Sequence, residues 1–178
     1  MLLCAKYIVP VSSEPMENGA ILVRDGVIAD IGKIEMMRLR YPDEEIKNFG
    51  MAALTPGFVD LHARVEDGVL RGLINDAPFV EWRKNINDLR SRISNAEAYD
   101  SAYLGCLEEL SAGVTTIADT SSTGAAAFAA RDCGLRAVIY REVGAIDKRL
   151  VNYALKKMDS DLDKWSQKIE SDQITFGL

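Results

Sequence analysis

The sequence predicts an α/β protein in which a parallel sheet follows a small β element. Three observations predict it. From residue 51 onward, short apolar runs rich in β-branched residues alternate with longer stretches of helical period, in the order strand, helix, strand, helix, strand, helix, strand. That alternation is the pattern of a parallel sheet covered by helices. Residues 1–50 instead carry apolar runs at 3–9 and 20–23, the second leading through Asp25-Gly26 into another at 27–32. Finally, 178 residues with 48% hydrophobic and 27% charged content are enough for one core of ordinary composition. The second part holds about four βα units, which is half of a (β/α)8 barrel. On alternation alone a doubly wound sheet fits equally well.

Taken in order, residues 20–32 read as a hairpin, because Asp-Gly tolerates the positive φ angles of a type I′ turn. Residues 34–43 suggest a short helix ended by Pro42, and residues 46–49 one more strand. The apolar lead-in Met51-Ala52-Ala53-Leu54, the Pro56-Gly57 break and a second apolar run predict a buried strand that delivers a polar tip. At that tip stand His62, the sole histidine, and Arg64. Strand side chains alternate faces, so these two point the same way. Residues 66–77 are irregular, with Gly68 and Gly72 suggesting a loop over the strand end.

Phe79, Trp82, Ile86, Leu89 and Ile93 recur at steps of three and four, so an amphipathic helix is expected with that stripe in the core. Ser94-Asn95-Ala96-Glu97 is a capping box opening the next helix, which runs to Gly113 as its C′ residue. Residues 114–118 form the second strand, with Asp119-Thr120-Ser121 at its tip. An alanine-rich helix over 125–132 is closed by Gly134, and residues 135–140 make a third strand ending in Arg141-Glu142. Asp147 caps a long helix whose buried face includes Leu150, Val151, Leu155, Trp165 and Ile169. Gln173 to Leu178 begins a fourth strand.

Composition narrows the partners. A net charge of −6 and a pI near 4.9 argue against nucleic acid or an anionic membrane. Cys4, Cys106 and Cys133 are odd in number, widely spaced and set among apolar residues, as expected of reduced thiols in a cytosolic protein. They lack the clustering of a zinc site. No basic segment or long apolar run precedes Cys4, and no window reaches the ~18 apolar residues of a membrane span. A cytoplasmic location is expected.

The stretch Pro56-Gly57-Phe58-Val59-Asp60-Leu61-His62 resembles the opening of the catalytic barrel of the amidohydrolase superfamily. The likeness is to its cytosine deaminase, chlorohydrolase and aminofutalosine deaminase branch. Further matching pieces are Glu66, Leu70-Arg71-Gly72, Pro78-Phe79-Val80-Glu81-Trp82 and the run from Gly113 to Asp119. The resemblance selects the partial (β/α)8 barrel, over 51–178, and makes residues 1–50 part of a small β-sandwich. It implies a divalent metal, zinc or iron, that activates water to attack a C–N bond of a nucleobase-like or triazine-like ring. His62 would be one ligand. The family's second motif histidine is Arg64 here, and its remaining ligands are expected beyond residue 178.

Barrel enzymes place their chemistry at the C-terminal ends of strands. The candidates are therefore His62, Arg64, Glu66 in the first loop, Asp119, Arg141 and Glu142. One imidazole does not make a zinc site, and an arginine beside it repels a cation by several kcal/mol even at an effective dielectric near 20. No cofactor is expected in this chain. Arg64 instead pairs with Asp119, Glu142 or Glu66, or offers its fork to a small-molecule oxyanion. Two functions stand side by side: the N-terminal part of a deaminase-like hydrolase, inactive by itself, or a non-catalytic binding and oligomerisation module. A half barrel leaves two open strand edges, so a homo-oligomer is expected in either case.

Overall fold

The computed structural model describes residues 1–144 and 147–177. The chain divides into two compact units, Met1–Pro56 and Gly57–Leu178.

In the first unit β1 (Leu2–Ile8) is central. It pairs antiparallel with β2 (Met16–Arg24), which pairs antiparallel with β3 (Val27–Lys33). On its other side β1 runs parallel to β4 (Ile46–Asn48) and β5 (Ala53–Leu54). The β2–β3 turn is built as the dipeptide predicts, with φ of 50° at Asp25 and 76° at Gly26. Helix α1 (Ile34–Arg40) follows at once and buries Met37 against Leu2, Cys4, Ala20 and Leu22. It stops two residues before Pro42, because the residue preceding a proline is held out of the helical region; Tyr41 has ψ 64°.

The second unit is a four-stranded parallel sheet in the order β6 (Phe58–Ala63), β7 (Val114–Ser121), β8 (Arg136–Arg141), β9 (Ile174–Gly177). The last residue expected in the fourth strand, Leu178, lies outside the described residues. Helices α2 (Phe79–Arg90), α3 (Asn95–Ser111), α4 (Ala125–Cys133) and α5 (Val151–Lys168) occupy the connections. Ser94 and Glu97 cap each other's backbone at the start of α3, and Gly113 and Gly134 take the left-handed conformation that ends α3 and α4. The core is the alanine face of α4 against Ile117, Leu135 and Ile139, joined by Ala102 and Cys106 of α3. Small side chains on α4 let that helix lie close to the sheet.

Three expectations of burial fail. Among the described residues β6 is an edge strand paired with β7 alone, and Leu61 is 79% exposed. On α2 only Ile86 is buried; Phe79 is 68% exposed and stacks on Trp82 at 6.2 Å. On α5 Trp165 is buried, as is Ile169 just after it, but Val151 and Leu155 are exposed, as is Leu150 just before the helix. The physical reason is common to all three. Periodicity states which side chains share a face, not whether another element covers that face. No described helix is long and apolar enough to cross a membrane.

Candidate functional site

β6 ends at Ala63, where the backbone turns at Arg64 into a 3-10 helix over Val65–Leu70. Ala63 is in register with Asp119 on β7. The Asp119 carboxylate reaches across and accepts the Val65 N–H at 2.8 Å through Oδ2. It thereby fixes the turn that carries Arg64. Asp119 is fully buried, and its Oδ1 has no hydrogen-bond partner among the described residues. Burial pushes its carboxyl up to about 7; the Val65 hydrogen bond and Arg64 oppose the rise, while Glu66 and Asp67 add to it.

Arg64 faces Glu142, just past the end of β8, through two hydrogen bonds of 3.0 and 3.1 Å. Both side chains are about one-third exposed. The guanidinium holds the Glu142 carboxyl below its ordinary range, with Arg90 contributing a smaller pull. Arg90 in turn is paired with Asp67, its Nε at 2.8 Å from Oδ1. His62 and Arg64 both border one cavity of about 280 Å³, together with Asp67, Trp82, Arg83, Ile86, Asn87, Arg90 and Glu142. The His62 backbone N–H is bound to Asp60 Oδ1 at 2.9 Å, and its ring has no partner among the described residues.

Two candidates lie elsewhere. Glu66 is buried at the start of α4, where its carboxylate accepts the N–H groups of Ser122 (3.0 Å), Thr123 (3.3 Å) and Ala126 (3.2 Å) and the hydroxyls of Ser121 and Thr123. It satisfies donors at a helix N-terminus and favours the positive end of its dipole. Arg141 is held by Asp161, with Nε and Nη2 each at 3.1 Å, and lies 5.8 Å from the Trp165 ring centroid. It borders a cavity of about 820 Å³ beside α5, which Glu142 also lines. The structure therefore brings His62, Arg64 and Glu142 to one cavity, places Asp119 beneath them through Val65, and commits the side chains of Glu66 and Arg141 to other partners.

Asp67, Trp82, Arg83 and Arg90 were absent from the sequence candidates. The signal was available in the spacing: Arg83, Ile86, Asn87 and Arg90 fall on one face of α2. What spacing lacked was the direction of that face.

A divalent metal does not fit these residues. Zinc needs three or four nitrogen, sulfur or oxygen ligands. Among the described residues no group of three His, Cys, Asp or Glu side chains could hold a metal ion. Next to the single imidazole stands a guanidinium already bound to Glu142. The cysteines add nothing: Cys106 is buried, and burial pushes its thiol up to about 12.

Comparison with known proteins agrees with the fold. The sequence profile described as "Amidohydrolase family" matches residues 53–176, and one described as "Imidazolonepropionase-like composite domain, bacteria" matches residues 19–43. A 5-methylthioadenosine/S-adenosylhomocysteine deaminase of Thermodesulfovibrio yellowstonii is 34% identical over 142 residues, covering 76% of this chain and 32% of that protein. The zinc-bound structure of an adenosine deaminase from Xanthomonas campestris superposes with a TM-score of 0.77 at 20% identity, over 99% of this chain and 41% of that one. The aminofutalosine deaminase of Helicobacter pylori, in complex with methylthio-coformycin, gives 0.77 at 16% identity, over 99% and 43%. The chain spans about a third or less of the length of the curated relatives it matches. With the profile covering most of its length, this chain belongs to the amidohydrolase family.

Proposed function

We propose that this chain is the N-terminal segment of a deaminase-like hydrolase, contributing about four βα units of a (β/α)8 barrel. By kinship with deaminating relatives, the reaction of the whole is hydrolysis of a C–N bond on a nucleobase-like or triazine-like ring. Within this segment the strand ends are tied by an ion pair instead of a divalent metal. By itself it deaminates nothing. The observation that carries this reading is the two-pronged contact of Arg64 with Glu142 beside His62. A metal at that place would share a few ångströms with a fixed positive charge and would have one imidazole to bind.

The same reading leaves the outward side chains of β6 and the parallel edges of β6 and β9 uncovered among the described residues. A second copy of the chain is the partner proposed to cover them.

The test is metal content together with turnover. Protein expressed with added zinc and then dialysed is expected to hold far less than one zinc per chain, and to release no ammonia from 5-methylthioadenosine. One zinc per chain, retained through dialysis and lost in His62→Ala, would overturn the proposal.

A further inference from the structure

The charges around the 280 Å³ cavity neutralise one another in two pairs, Arg64 with Glu142 and Arg90 with Asp67. Two groups on its wall are left over. Neither the Arg83 guanidinium nor the His62 ring has a hydrogen-bond or ion-pair partner among the described residues, while three guanidiniums stand against two carboxylates. Trp82, 39% exposed, supplies an aromatic wall, and buried Ile86 lines the cavity as well. Ligand cavities usually run from about 300 to 1,000 Å³, and this one, just below that range, admits a single small ring.

We infer that the cavity between the end of β6 and α2 binds a small planar aromatic carboxylate, its oxyanion held by Arg83 and His62 and its ring laid against Trp82. Arginine presents a rigid fork that matches a carboxylate with two parallel hydrogen bonds. The indole face gives the ring an offset partner. A neutral ring of the same size would cover Arg83 without pairing it, which costs free energy. A cation would meet the surplus positive charge. An entering anion has no need to break either existing pair, because Arg64 and Arg90 keep their own carboxylates. The inference rests on the metal-free reading above, since an ion on His62 would take both its lone pair and the anion.

The test is calorimetric titration of sodium benzoate into the full 178-residue chain at neutral pH in zinc-free buffer, with benzamide and acetate alongside. Benzoate is expected to bind saturably, at least tenfold more tightly than benzamide or acetate. Arg83→Gln and Trp82→Ala, folded by circular dichroism, are each expected to weaken it at least tenfold. No saturable benzoate binding, equal binding of benzamide, or undiminished binding in Arg83→Gln would overturn the assignment. Failure of benzoate to bind a chain that also takes up no zinc sinks the ligand alone. Stoichiometric zinc uptake in a parallel titration sinks the metal-free reading beneath it.

Discussion

Arg64 and Glu142 are 78 residues apart in the chain and meet through two hydrogen bonds at the open end of the sheet. Arg64 follows β6 and Glu142 follows β8, so the pair spans the strand between them. Partial burial makes it stronger than a typical surface ion pair, yet water still screens it. Arg64→Met is expected to lower the unfolding free energy by about 1–2 kcal/mol. Adding Glu142→Leu should recover part of that loss, because the uncompensated charge disappears. Urea denaturation of the single and double variants measures the coupling; strictly additive losses would show that the pair contributes nothing.

Glu66 is the residue whose removal should be most costly. Five donors converge on its carboxylate, three of them backbone N–H groups around the start of α4. Glu66→Ala leaves the buried Ser121 hydroxyl and Ala126 N–H, and the part-buried donors of Ser122 and Thr123, without this acceptor, an expected loss of about 2–4 kcal/mol. Glu66→Gln keeps an acceptor and should lose less. Equal midpoints for the two variants in thermal unfolding would contradict the anchoring role.

Asp119 sets a pH dependence whose sign runs against the usual carboxylate. Its ordinary value is 3.8 and its folded value is raised to about 7. The native state therefore holds the extra proton between those limits, and stability is lost as pH rises through that window. About three pH units at about 1.4 kcal/mol each give a decline on the order of 4 kcal/mol. Denaturation of the wild type at pH 4.5 and pH 8 should show the decline. Asp119→Asn, which keeps an acceptor for the Val65 N–H, should flatten it, and parallel profiles in the two proteins would refute the cause.

Self-association is expected on the proposed reading, because the outer edges of β6 and β9 have no strand partner among the described residues and Phe58, Val59 and Leu61 on β6 are exposed. Sedimentation velocity is expected to show a dimer or larger species at micromolar concentration. Leu61→Lys should shift it toward the monomer. A monodisperse monomer in the wild type would count against the proposed partner.

Elements whose cause is local could be read directly. The Asp25-Gly26 turn, the Ser94–Glu97 capping box and the glycine stops at Gly113 and Gly134 each depend on residues within a few positions of one another. The parallel sheet followed from alternation, and the family from residues 56–62 and 113–119. The burial of α2 and α5 departs from the sequence expectation for the opposite reason. An apolar stripe is a property of the helix, whereas its exposure is a property of whatever stands opposite.

The same division runs through the site. The amino-acid order alone placed His62 and Arg64 two residues apart at a strand end, which was enough to deny the imidazole a neighbouring ligand. It left Arg64 a choice among Asp119, Glu142 and Glu66. The fold chose Glu142, sent Asp119 under the turn to hold Val65, and spent Glu66 on the start of α4. Sheet order and register decide which strand ends are neighbours, and distances between residues dozens of positions apart exist only once those strands have paired.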